Sequence, residues 1–147
     1  MNATFELAVI YDELGKLEKA VPLYEEVLRK RKETLGPDHR DTLKVMSYLA
    51  IAYSENKRLE DALPLFREVF ERRKNKLGPE NQGTLKSMYA LALAYKVMNQ
   101  LEDSLSLFKE LLALTEKREP LPKGYPQVSE TKDRIAEILA VVKAKQQ

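Results

Sequence analysis

Cysteine is absent from this sequence, so a disulfide framework, a thiolate metal site and a cysteine nucleophile are all excluded. An intracellular protein needs no disulfide, and the expected location is cytoplasmic. Histidine occurs once, at His39. It lies in a connector beside Asp38 and Asp41, without the further ligands or partners that a metal site or acid–base chemistry requires. It reads as a polar loop residue. Glycine is scarce, with 5 in 147 residues, which argues against all-β and collagen-like classes. Neither charge sign dominates. With 25 basic and 23 acidic residues, the net charge of +2 is too balanced to make nucleic acid or an anionic membrane the default partner. No apolar run approaches the roughly 20 residues of a membrane helix. The start, Met-Asn-Ala-Thr-Phe-Glu, lacks the pattern of a signal peptide. No phosphate-binding glycine loop, nucleophile motif or distinctive carboxylate pair is present. The chain is expected to be no enzyme and to use no cofactor or metal.

What is present is a repeat. Tyr11, Tyr53 and Tyr95 recur every 42 residues, as do Leu17, Leu59 and Leu101. Leu23, Leu65 and Leu107 follow the same interval, then Tyr24, Phe66 and Phe108. The connector Leu35-Gly36-Pro37-Asp38-His39 returns as Leu77-Gly78-Pro79-Glu80-Asn81. A fixed period of this length marks a stacked repeat architecture.

Each period contains two amphipathic stripes. In the second, Val45, Met46, Leu49, Ala50, Ala52 and Tyr53 predict a helix over about 41–55. After a break at Asn56-Lys57-Arg58, Leu59, Ala62, Leu63, Leu65, Phe66, Val69 and Phe70 predict a second, to about Lys76. Pro22 and Pro64 place the second-helix starts at about Glu18-Lys19 and Glu60-Asp61, because proline is tolerated in a first turn and costly beyond it. Gly36 and Gly78 are expected to end these helices in the left-handed conformation. Asp38 or Asp41, and Asn81 or Thr84, are the expected starts of the next. Tyr11, Tyr53 and Tyr95 read as core. The basic clusters Arg29–Lys32 and Arg72–Lys76 read as solvated helix ends that complement the dipole. The third period ends in a longer connector, Arg118 to Pro126. A terminal helix over about 128–145 covers the last repeat, with Ile135, Ile138, Leu139 and Val142 on its seam.

Small residues at Ala8, Ala50 and Ala92, and at Ala20, Ala62 and Ser104, let helix backbones approach closely. With the Tyr and Leu positions, they resemble the tetratricopeptide repeat. The 42-residue length and the Leu-Gly-Pro-Asp-His-x-Asp-Thr-Leu connector resemble the long variant of kinesin light chains, and bacterial arrays attached to kinases. The resemblance implies an all-α solenoid of three helix pairs plus a capping helix, wound as a right-handed superhelix. It forms a single domain with repeats at about 1–38, 39–80 and 81–122 and a cap at about 126–145. The chain starts inside a helix and reads as an excised or redesigned piece of a longer array.

The same resemblance implies a non-enzymatic scaffold that binds a protein or peptide on a concave face lined by first helices. The implied positions are Phe5, Val9 and Asp12, then Lys44, Ser47, Tyr48, Ile51 and Glu55, then Lys86, Tyr89, Leu93 and Lys96. The family often carries an Asn-Asn-Leu-Ala stretch here. This chain has Phe5-Glu6-Leu7-Ala8, Ser47-Tyr48-Leu49-Ala50 and Tyr89-Ala90-Leu91-Ala92, so an asparagine clamp is not expected. Phe5, Tyr48 and Tyr89 break the repeat and are candidate apolar anchors. Lys44, Lys86 and Lys96 favour an acidic, hydrophobic peptide. The alternative function is assembly through repeat edges. Weak self-association is expected through residues near Phe5 and Val9.

Overall fold

The computed structural model describes residues 2–118 and 120–147; Met1 and Glu119, the latter in the long connector, lie outside the described residues. The elements are α1 (Ala3–Glu13), α2 (Leu17–Leu35), α3 (Arg40–Glu55), α4 (Leu59–Leu77), α5 (Gln82–Val97), α6 (Leu101–Glu116) and α7 (Val128–Lys145). The chain is all-α among the described residues, and its seven helices form a helical repeat. It divides into two compact units, Met1–Arg72 and Arg73–Gln147.

In the first unit, α1 packs on α2 and α2 on α3. Their shared core holds Ala8, Ala20, Val21, Tyr24, Val27, Val45, Met46 and Ala52. Ala8 and Ala20 are fully buried, so the backbones of α1 and α2 meet without an intervening side chain. In the second unit, α5 packs on α6 and α6 on α7. Leu85, Met88, Ala92, Phe108, Leu111 and Ile138 are buried there. Ser104, in the register of Ala20 and Ala62, is also buried, and its hydroxyl donates to the Ala92 carbonyl at 2.7 Å.

The helix ends differ from expectation in three ways. The first concerns left-handed residues. Gly36 has φ 87° and ψ 163°, an extended glycine conformation rather than a left-handed helical one. Left-handed caps lie instead at the ends of the first helices, at Gly15, Lys57 and Asn99, with φ of 69°, 59° and 60°. These positions are 42 residues apart. Each turn closes the same way: Lys16, Arg58 and Gln100 donate their backbone N–H to Tyr11, Tyr53 and Tyr95 carbonyls at 2.8 Å. This is the 6→1 bond of a Schellman motif.

The second concerns proline. α2 and α4 begin at Leu17 and Leu59, one to two residues before the expected starts, and run through Pro22 and Pro64. Pro22 has no N–H for the Glu18 carbonyl. The third is the cap of α3. His39 fills it, and neither Asp38 nor Asp41 does: His39 Nδ1 accepts from the Asp41 N–H at 3.1 Å. Asn81 caps α5 as expected, accepting from Gly83 N–H at 2.8 Å.

The repeating tyrosines are half-buried, which corrects their reading as core residues. Tyr11 and Tyr53 flank the first unit's core with their rings. The Tyr53 hydroxyl turns outward to donate to Glu25 at 2.5 Å, and the Arg58 guanidinium stacks 4.3 Å from its ring centre. A phenol needs a polar partner, and this holds its tip at the rim.

Candidate functional site

In the first unit, the candidate positions on α1 and α3 gather around three rings. Phe5 meets Tyr48 edge-on at 5.4 Å and Tyr24 at 6.0 Å, while Tyr24 and Tyr48 are 5.9 Å apart. Phe5 is only 4% exposed. It supplies the floor of this face and is not a protruding anchor. Above it lie two cations, Arg31 at 5.1 Å and Lys44 at 5.6 Å from the ring centre. Such stacking favours a cation over the negative face of the ring. Val9 and Tyr48 are half-buried, and Ile51 is 44% exposed. Ser47 is half-buried, and its hydroxyl folds back to the Leu43 carbonyl at 2.9 Å.

The far end of the same face is acidic. Asp12 accepts a hydrogen bond from the buried Tyr24 hydroxyl at 3.0 Å. Burial, followed by the Asp12 carboxylate and its hydroxyl bond, pushes the Tyr24 phenol well above its ordinary value. Glu55 lies beside Asp12. Partial burial and then the neighbouring Asp12 charge raise the Glu55 carboxyl above its ordinary value. Cations thus sit near the starts of α1 and α3, and carboxylates near their ends.

In the second unit, Tyr89 packs edge-on against Phe108 at 5.5 Å and accepts from Arg134 Nε at 3.3 Å. Arg134 also reaches Glu137 at 3.2 Å, and Glu137 pairs with Lys96 at 2.5 Å. Lys96 is therefore engaged by α7, contrary to its expected role as a cation offered to a ligand. Lys86 is exposed, Leu93 is half-buried, and Val97 at the end of α5 is exposed.

The sequence reading missed the contribution of the second helices and of α7. Arg31 and Arg73, 42 residues apart, were read as part of solvated clusters. Arg31 stacks on Phe5 and donates to the Asp41 carbonyl at 3.0 Å. Arg73 donates to the Ser87 hydroxyl at 2.7 Å, and burial pulls its guanidinium below its ordinary value. Both reach the first turn of the next helix. The repetition of arginine at this register was the available signal. Arg72, in the same cluster, pairs with Asp38 at 2.7 Å.

The first unit also carries an open groove of about 510 Å³. Leu28, Leu49, Pro64 and Leu65 line it, with Glu25 and Arg29 among its charged residues. Among the described residues, no group of three or more His, Cys, Asp or Glu side chains is placed to hold a metal ion, and no helix is long and apolar enough to cross a membrane.

No curated protein sequence matches the chain. Solved structures do. A kinesin-light-chain-like protein of Podosopora anserina with nearly identical TPR-like repeats superposes with a TM-score of 0.80 at 26% identity, over 92% of this chain and 64% of that one. BtubC (BKLC) from P. vanneervenii gives 0.84 at 19% identity, over 97% and 56%. Aspartyl phosphate phosphatase F from Bacillus subtilis gives 0.67 at 20% identity, over 96% and 38%. The chain thus spans less than two thirds of each of these structures, and at 19% and 20% identity the likeness concerns the fold alone. The family model for the tetratricopeptide repeat matches residues 1–75 and 45–117, most of the helical array described above, and the chain belongs to the tetratricopeptide-repeat family.

Proposed function

We propose that the chain is a non-enzymatic interaction module that binds a protein or peptide segment on the faces of its first helices. The observation that carries this reading is the first unit's α1–α3 face. Ile51 is 44% exposed there, beside half-buried Val9 and Tyr48, over a floor closed by Phe5. Isolated exposed apolar residues are ordinary, but this one lies three residues along α3 from Tyr48 of the ring cluster, on a face with Lys44 and Arg31 at one end and Asp12 and Glu55 at the other. An apolar side chain anchored at Ile51 with a carboxylate reaching Lys44 fits that layout. In the second unit, Leu93 and Lys86 offer the same pair, while Lys96 is held by Glu137.

Selection of peptides from a displayed library on the intact chain tests the proposal. Peptides so obtained are expected to lose at least about 2 kcal/mol of binding with Ile51→Asp or Leu93→Asp, the scale of a buried anchor. Retained binding to both variants, with loss on Leu65→Asp in the groove lined by Leu28, Leu49 and Pro64, overturns it. Assembly through a repeat edge is the second reading, favoured by Leu7, Ile10 and Leu14, which are exposed on one face of α1 and its C-cap.

A further inference from the structure

The acidic end of the α1–α3 face is arranged at a cost to the free chain. Asp12 and Glu55 come from different helices and lie side by side. Partial burial and the Asp12 charge both disfavour the Glu55 carboxylate, and no cation offsets them. Glu13 adds a third carboxylate, near enough to act on the Tyr24 hydroxyl that Asp12 accepts from. Among the described residues, none of the three is paired with a cation. The repeat does not call for these acids, since α5 carries Lys96 and Val97 where α1 carries Asp12 and Glu13. A local rule broken with no return in stability marks a functional position.

The acids are also held in place. The buried Tyr24 hydroxyl donates to Asp12 at 3.0 Å, which fixes that carboxylate while using one of its roughly four acceptor sites. A guanidinium fits what remains. It is planar and always charged, and its fork of donors can bridge two carboxylates and cancel their repulsion.

The rest of the face sets what else the ligand carries. Ile51 lies four residues before Glu55, about 6 Å along α3. At the other end the Lys44 ammonium lies over the Phe5 ring. The register of Phe5 in α3 is Ser47, again four residues, or about 6 Å, from Ile51. Along one side of an extended chain, successive side chains are two residues, or about 6.6 Å, apart. One strand thus sets three same-side residues against Lys44, Ile51 and the acidic end.

We propose that the α1–α3 face of the first unit binds an extended peptide segment whose alternate side chains are acidic, apolar and arginine, with the arginine bridging Asp12 and Glu55; this rests on the peptide-binding role proposed above and names the ligand for it. The probes are four displayed peptide libraries with the frame Z-x-Leu-x-Z in random flanks. The two Z positions are Asp then Arg, Arg then Asp, both Asp, or both Arg. Both mixed orders are needed because a strand can lie along α3 in either direction.

On the intact chain, one or both mixed libraries are expected to be enriched over both like-charge libraries. In the tightest peptide, citrulline in place of arginine keeps the shape, removes the charge and should weaken binding at least about tenfold. On Glu55→Lys the arginine peptide should bind no better than its citrulline form, and on Glu55→Gln the advantage of arginine should shrink. Glu55 is exposed at the last residue of α3, and circular dichroism is expected to show both variants as helical as the parent. Equal or greater enrichment of a like-charge library, equal binding of the citrulline peptide, or an arginine advantage that survives Glu55→Lys overturns the proposal. If the bound peptides are then still lost on Ile51→Asp, the face remains a peptide site and only the arginine assignment fails. If no library binds, or Ile51→Asp changes nothing, both fail.

Discussion

At the scale of single residues, the repeat lets one position be judged against its counterpart. Thr42 and Thr84 are both fully buried. The Thr42 hydroxyl donates to the Arg31 carbonyl at 3.4 Å, whereas Thr84 Oγ1 has no partner among the described residues. A buried hydroxyl without a hydrogen bond carries its full desolvation penalty. Thr84→Val, close in shape, is expected to stabilise the chain by about 1 kcal/mol. Thr42→Val, measured in parallel by denaturant unfolding, should gain less. Glu55 offers a test by pH. Its folded carboxyl titrates above the ordinary 4.5, so the folded state holds its proton to higher pH than the unfolded state. Glu55 therefore lowers stability at neutral pH, and that loss is recovered as pH falls through the raised value toward 4.5. Glu55→Gln is expected to raise the melting temperature at pH 7, with the gain vanishing near pH 4. The sequence showed Glu55 on the correct helix. It did not show that Asp12, 43 residues earlier and not a repeat equivalent, would lie beside it. Phe5 illustrates the converse: a residue that breaks the repeat looked like a ligand anchor, and Tyr24, Tyr48 and Arg31 enclosed it.

At the scale of elements, helix number and type were legible because apolar spacing repeats three times, and α7 begins and ends where its seam predicts. The caps were less legible because glycine marks only one of the three left-handed turns. Gly15 fits the conformation without cost, Asn99 tolerates it, and Lys57 carries a Cβ into it. Lys57→Gly is expected to stabilise the chain by about 1 kcal/mol in chemical denaturation. Lys57→Ala should gain much less, since it keeps the Cβ. The terminal helix shows how a repeat is ended. At the registers where α3 buries Leu43 and Met46, and α5 buries Leu85 and Met88, α7 has Ser129 and Lys132. Both are exposed, and Lys132 pairs with Glu116 of α6 at 3.1 Å. One side of α7 is thus fitted to α6 by Thr131 and Ile138, and the other meets water. Ile138→Ala is expected to cost about 2–4 kcal/mol, the usual range for emptying a buried aliphatic site. An unchanged unfolding midpoint would show that α7 does not cover α6.

At the scale of the whole molecule, each helix in a contact given above packs on its neighbour in sequence, and stability in such a chain is a sum of local terms. The repeat period exposed that architecture at once. It did not disclose the partner, because the positions at which the repeats differ, such as Phe5 against Ser47 and Tyr89 or Lys96 against Ser54, name no ligand. The buried Tyr24 has one further consequence. There is no tryptophan, and seven tyrosines supply the near-ultraviolet signal. Tyr24 is wholly enclosed, and its hydroxyl is committed to Asp12, so it resists ionisation far above the ordinary 10.0. Tyr53 is pushed only to about 12, chiefly by burial and next by its bond to Glu25. Above pH 10 the unfolded chain gains by releasing the Tyr24 proton while the folded chain cannot, so stability falls as alkalinity rises. An alkaline absorbance titration should therefore show Tyr24 ionising in step with loss of helical circular dichroism, after the exposed phenols have titrated. Tyr24→Phe should remove that last step. One phenol thereby becomes an optical reporter of the moment at which the first helix pair comes apart, with no dye or added chromophore.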